Sequence, residues 1–125
     1  MKKIISTSNA PSAIGPYSQA VEVGNFLYTS GQIAINPHTG ELLVSDIVEE
    51  THQVMKNLEA VLLAAGYDMS SIFKTTIFLT DMGNFDQVNG VYSSYFSTDF
   101  PARETVEVAG LPKNVNVEIS VIAVK

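Results

Sequence analysis

The sequence predicts an α+β fold in which two helices pack on one face of a single mixed sheet. Three observations lead there. Strand and helix patterns alternate in the order β-β-α-β-α-β-β. Two segments, near residues 46–65 and 84–96, carry apolar stripes at helical spacing. The last strand carries a wholly apolar row, Val115, Val117, Ile119, Val121 and Ala123, suited to lie under helices. Its other row, Asn116, Glu118, Ser120, Ile122 and Val124, starts polar and ends apolar, so the face away from the helices also needs cover.

The elements follow in order along the chain. Residues 8–19 contain Pro11, Gly15 and Pro16 and read as an ordered loop. Ala20–Val23 and Phe26–Ser30 flank Gly24-Asn25 and predict a hairpin, and Asn36–Gly40 predicts a further turn. Asp46–Ala65 is the clearest helix, with Ile47, Val54, Met55, Leu58, Val61, Leu62 and Ala65 on one stripe. Asp46 and Glu49 form a capping-box pattern at its start, and Gly66 offers a left-handed stop. Ile72–Thr80, rich in β-branched and aromatic residues, predicts a strand. A second helix is expected from Asn84, with Gln87 in the capping position, to about Phe96, burying Phe85, Val88, Tyr92, Tyr95 and Phe96. Two strands, roughly 104–109 and 115–124, end the chain and are expected to pair across Leu111–Asn114. Val106 and Val108 are expected to face the helices, which turns Arg103, Thr105 and Glu107 the other way; on that pairing Arg103, Thr105 and Glu118 share the face away from the helices.

Composition narrows the function classes. The 125 residues read as one domain, residues 1–125, that buries its own core without staples. With no cysteine, disulfide, thiolate and cysteine–zinc chemistry are excluded. Neither histidine, His38 in a turn or His52 on a helix, has a second ligand at metal spacing, so both read as solvated and no metal site is expected. A net charge of −6 without a basic cluster argues against nucleic acid or an anionic membrane as partner. No secretory leader or bilayer-length apolar run is evident, and a soluble cytoplasmic protein is expected. Charged residues make up only 16% of the chain, which predicts that a second copy covers some of its apolar surface.

Arg103 is the sole arginine, fixed behind Pro101 at the start of a strand. Its planar fork of donors matches a carboxylate or phosphate bidentately, which none of the lysines does. Two readings stand side by side. Arg103 and Glu118 are cross-strand ion-pair partners, or Arg103 clamps a ligand carboxylate while Glu118 handles a proton or a water. Tyr17, after Gly15-Pro16, either caps a core edge or presents its hydroxyl. Gly31, in Ser30-Gly31-Gln32, marks a bulge or lets a ligand reach backbone donors. Asn89 satisfies a nearby backbone group or orients a site. Phosphate-binding glycine loops and a nucleophile elbow are absent from the sequence.

Together these residues resemble the reactive intermediate imine deaminase family (RidA, also YjgF). The matching pieces are Ala13–Ala20, Thr29–Ile33, Asn36–Glu41, Lys74–Phe78, Val88-Asn89 with Tyr92, Phe100–Arg103 through Val106–Val108, Leu111–Lys113 and Val117–Ile119. The resemblance implies a chorismate-mutase-like fold, of the Bacillus type, assembled as a homotrimer with the other sheet faces at its centre and sites in clefts between subunits. It implies hydrolysis of 2-imino acids and their enamine tautomers to 2-keto acids and ammonia, with no cofactor. A non-catalytic regulator of branched-chain amino acid metabolism that binds small carboxylates is the alternative. Ribonuclease activity, attached to relatives, fits poorly with the acidic charge. By resemblance Arg103 is the carboxylate clamp and Glu118 activates water, while Tyr17, Ser30, Gly31, Asn89 and Thr105 line the pocket. Thr105 stands where many members have cysteine and is expected to offer its backbone N–H. Glu104 replaces a small residue, Ser120 replaces a second glutamate, and the stretch Phe96–Phe100 is shorter than in many members; these departures bear on rate and preference rather than fold.

Overall fold

In the computed structural model, which describes residues 1–125, six strands form one sheet. They are β1 (Lys2–Ile5), β2 (Ala20–Val23), β3 (Phe26–Thr29), β4 (Ile72–Leu79), β5 (Ala102–Glu107) and β6 (Val117–Val124). Their spatial order is β1-β2-β3-β6-β4-β5, antiparallel throughout except for the parallel pair β4–β5. Helices α1 (Ile47–Ala64) and α2 (Phe85–Ser93) cover one face. This is the expected α+β arrangement of two helices on a mixed sheet.

The core lies where both periodicities converge. Val54, Met55, Leu58, Val61 and Leu62 of α1 are fully buried, as are Val117, Ile119 and Ala123 of β6 beneath them. Burying each of these side chains other than Ala123 contributes roughly 1.5–3 kcal/mol. Asp46 caps α1 by accepting from the Val48 N–H at 2.8 Å, and Gly66, at φ 82°, ends it in the left-handed conformation. Glu49 does not return the second bond of a capping box.

The structure corrects the sequence reading at four places. β1 is an additional edge strand; with Lys2 and Lys3 exposed and only Ile5 buried, it lacks the apolar alternation that identifies a strand. α2 is shorter than expected and starts at Phe85 after a 3-10 turn over Met82–Asn84. Asp81 makes the cap there, accepting from the Gly83 N–H at 2.8 Å, and Asn84 makes none. Tyr95 and Phe96 lie beyond the helix yet pack on the core as predicted.

Third, the last two strands do not pair with each other. β5 lies at the sheet edge, parallel to β4, because β4, α2 and β5 form a crossover unit, while β6 is inserted between β3 and β4. Fourth, the faces of β5 are the reverse of those expected. Arg103 is in register with Thr75, and Thr105 with Ile77, both buried under the helices. Glu118 is in register with Phe78, one residue out of phase with Ile77, and points away from the helices. Arg103 and Thr105 therefore face α2, and Glu118 faces the other side. Val106, expected beneath the helices, is exposed on the outer face.

That outer face is apolar. Ile4, Val23, Phe26, Tyr28, Phe73 and Val106 are exposed there, with Phe26 and Phe73 packed edge to face at 6.0 Å.

Candidate functional site

Arg103 is half-buried against α2. Its Nη1 donates to Asn89 Oδ1 at 2.6 Å, and its guanidinium carbon lies 5.7 Å from the centre of the Phe85 ring and 5.1 Å from that of Tyr92. Phe85, Asn89 and Tyr92 are spaced by four and three residues, so one face of α2 presents all three. Tyr92 is anchored below by donating its hydroxyl to Thr75 Oγ1 at 2.8 Å. Burial pushes its phenol up, against the lowering effects of that bond and the Arg103 charge. No carboxylate neutralises Arg103: the ion pairs are Lys74–Glu104 and Lys125–Glu22. The guanidinium instead borders a cavity of about 400 Å³ with Asn89, Tyr92, Ser93, Phe100 and Pro101. An oriented fork facing open space has the geometry to meet a planar anion with two parallel N–H donors.

Glu118 opens on a different cavity, of about 560 Å³, with Tyr17, Ser30, Gly31, Gln32 and Lys113 among its walls. Burial pushes the Glu118 carboxyl above its ordinary range. Gly31 lets the Glu118 side chain lie against the backbone: a Cβ there would sit 2.7 Å from Glu118 Cδ and displace the carboxyl. Ser30 donates its hydroxyl proton to the Ser18 carbonyl at 2.5 Å, which leaves the oxygen free to accept. Tyr17 is exposed after a tight turn in which its N–H donates to the Gly15 carbonyl at 2.9 Å, with Gly15 at φ 117°.

Within the chain the candidate residues thus form two groups on opposite sheet faces. Tyr17, Ser30, Gly31 and Glu118 line one cavity, Asn89 and Arg103 the other, and Thr105 lines neither. A cross-strand ion pair between Arg103 and Glu118 does not form. Glu104 lies on the outer face and pairs with Lys74, so its charge is compensated away from the clamp. His52, expected to be solvated, is half-buried, with its Nδ1 hydrogen-bonded to the Tyr95 hydroxyl at 2.9 Å. His38 is exposed. No group of three His, Asp or Glu side chains is placed to hold a metal ion.

The Thr105 hydroxyl oxygen is buried without a hydrogen-bond partner. An unpaired buried hydroxyl costs about 1–3 kcal/mol, and valine keeps the same branched shape. Thr105→Val is expected to raise stability by about 1 kcal/mol, read as a higher urea midpoint at unchanged slope. A lower midpoint would show that the hydroxyl is paired in solution.

Three buried residues that the sequence reading passed over hold the Glu118 cavity in shape. Gln19 accepts from the Thr7 N–H at 2.7 Å and donates to the carbonyls of Thr7, Ala10 and Pro11, tying down the loop that presents Tyr17. Asn57 donates to the Ile33 and Ile35 carbonyls, both at 3.0 Å, fixing the segment after Gly31. Glu50 accepts from the Asn116 N–H at 2.8 Å and from its side chain at 2.7 Å, two residues before Glu118. Glu50 and Asn57 carry a signal that could have been read: both fall at i+3 or i+4 spacing within the apolar stripe of α1, where a polar side chain must find a partner.

A family profile described as Endoribonuclease L-PSP matches residues 7–125. The chain is 48% identical over 125 residues to a Mus musculus protein named 2-iminobutanoate/2-iminopropanoate deaminase, covering 100% of this chain and 93% of that one. A solved structure from Yersinia pestis, described as a protein of unknown function of the conserved Rid family, YyfA, superposes with a TM-score of 0.98 at 57% identity, covering both chains completely. The structure of E. coli TdcF with bound serine superposes with a TM-score of 0.95 at 43% identity, covering 98% of each chain.

Proposed function

Since the chain belongs to the Endoribonuclease L-PSP family, the YjgF/RidA family, we propose that it hydrolyses small 2-imino acids to 2-keto acids and ammonia at sites shared between copies of itself. One observation carries this reading: the chain's only guanidinium, oriented by Asn89 and two aromatic rings, faces open space with no carboxylate partner. Such a group fits the carboxylate of a small substrate. The mouse relative's name supplies the reaction, and the serine bound to E. coli TdcF is a small carboxylate of the right size.

A site using both Arg103 and Glu118 needs two protomers, because in one they look out of opposite faces. The apolar outer sheet face supports the same conclusion, since a patch of that kind calls for cover. In the proposed homotrimer, the Arg103 cavity of one copy meets the Glu118 cavity of the next. Arg103 holds the substrate carboxylate. Glu118, its proton affinity raised by burial, takes a proton from water as the oxygen adds to the C=N carbon. It returns the proton to nitrogen, and the carbinolamine collapses to the keto acid and ammonia. Bringing the reactants into register supplies several kcal/mol, and proton handling roughly 10²–10⁴-fold.

The test uses two inactive variants. Arg103→Ala and Glu118→Gln, unfolded together in equal amounts and refolded, form mixed trimers in which one seam of three retains both groups. Three-quarters of the trimers are then mixed, so about a quarter of wild-type imine hydrolysis returns. Activity no higher than that of the separate variants sinks the shared site. Wild-type protein that binds 2-oxobutanoate without accelerating imine loss favours a carboxylate-binding regulator instead.

A further inference from the structure

The cavity beside Arg103 has one wall to which the proposed mechanism gives no role, the ring of Phe100. Aromatic side chains run in a row from α2 to this ring. The Tyr92 ring centre lies 5.1 Å from the Arg103 guanidinium carbon, that of Phe96 lies 5.0 Å from Tyr92, and that of Phe100 lies 6.0 Å from Phe96. Burial falls along the row: Tyr92 is buried, Phe96 is half-buried, and Phe100 is 57% exposed. Phe96 packs on the core between helices and sheet, so its contact places the Phe100 ring on the helix side of the sheet, with Arg103. A scattered exposed phenylalanine needs no explanation, but this one ends a row that starts at the guanidinium and borders the same cavity of about 400 Å³.

The backbone on either side holds the ring there. Asp99 sits at φ 55°, a left-handed conformation uncommon outside glycine, and Pro101 biases Phe100 itself toward extended backbone. The rest of the wall has no hydroxyl proton to spare for a ligand. Tyr92 donates its own to Thr75 Oγ1 at 2.8 Å, Ser93 donates to the Gly90 carbonyl at 3.0 Å, and Asn89 Oδ1 accepts from Arg103.

We infer that the Phe100 ring receives the substrate's side chain and sets a preference for 2-imino acids with longer aliphatic chains. The inference rests on the deaminase reading and adds a substrate class to it. A 2-imino acid carries a carboxylate, an imine nitrogen and a side chain on one planar carbon. With the carboxylate at Arg103 and the C=N group turned toward Glu118 of the partner subunit, the chain is left to meet the apolar wall of the Arg103 cavity. Each methylene laid on that wall leaves water, which tightens binding about fourfold. The contact is the same in substrate and transition state, so it acts on KM and not on kcat.

Phe100→Leu and Phe100→Gln are nearly equal in size and differ in polarity, so a loss of packing alone affects both alike. For each, and for wild type, calorimetry measures the affinity of 2-oxopropanoate, 2-oxobutanoate and 2-oxopentanoate, and imine loss gives kcat and KM for the matching imines. Wild type is expected to gain roughly 10- to 20-fold in affinity from the shortest acid to the longest. Phe100→Leu should keep most of that gain, and Phe100→Gln should flatten the series to within about twofold, through KM. A flat series in wild type overturns the inference, and so does a glutamine variant as steep as wild type. Leucine and glutamine variants weakened equally at every chain length also overturn it, by making the ring a packing residue. Steep binding in wild type without imine hydrolysis ends the deaminase reading and keeps Phe100 as the side-chain contact. Wild type that neither binds these acids nor hydrolyses their imines overturns both.

Discussion

Arg103→Ala is expected to lower kcat/KM for 2-iminobutanoate by roughly 10²- to 10³-fold. A hydrogen-bonded charge contact in a shielded site is worth about 2–5 kcal/mol on truncation, and each 1.4 kcal/mol is tenfold. The guanidinium is already oriented before any ligand arrives, by the 2.6 Å bond to Asn89 and by the Phe85 and Tyr92 rings. Little of the contact energy is then spent on ordering the side chain. Arg103→Lys keeps the charge but loses the fork and the planar stacking, so an intermediate loss of about tenfold is expected. Truncation also removes the ring contacts, at about 0.5–1 kcal/mol each, so a modest fall in stability accompanies the alanine variant. Ligand-dependent melting separates the two effects. Saturating 2-oxobutanoate should raise the wild-type Tm and leave that of Arg103→Ala where it was. An alanine variant with wild-type kinetics removes Arg103 from the site.

Local pattern made most of the elements legible. The β2–β3 hairpin, α1 with its Asp46 cap and Gly66 stop, β4 and the buried row of β6 all lie where the sequence places them. Each depends on a period or a turn residue only a few positions long. Pairing of the last strands was not legible, because the partner of β5 is decided by the crossover through α2 and not by the short Leu111–Asn114 connection. The error over faces has a separate cause. Alternation tells which residues of a strand share a side, but assigning that side to the core assumes that only one face is apolar. Here both are. Val106 looks like a core residue because the outer face carries apolar side chains of its own, and taking it as one turned Arg103 and Thr105 to the wrong side. Residue types at the candidate site were readable from chemistry, such as a lone arginine and a glutamate in an otherwise apolar strand. Their arrangement was not, because it depends on non-local register and, in the proposed trimer, on a second chain.

Glu118→Gln is expected to lower kcat by about 10²- to 10⁴-fold while leaving the fold intact or firmer. Glutamine fits the same space beside Gly31, so the cavity is preserved, but the amide takes no proton from water. Stability supplies an independent reading of the same residue. Burial raises the folded-state pKa of Glu118 above its unfolded value. Between those two values the folded protein holds the proton more tightly than the unfolded chain does, so stability falls as pH rises through the window. The contribution is fully present below the unfolded value and lost above the folded one. Glutamine does not titrate, so in the variant this fall should vanish from the pH profile of unfolding, leaving it at least as stable as wild type at neutral pH. The residue placed to activate water would then be one whose charge the fold accommodates at a cost, as expected of a buried base kept for chemistry. Parallel stability profiles for the two proteins would mean that Glu118 is solvated in the assembled state. Wild-type kcat in the variant would remove it from the proton path.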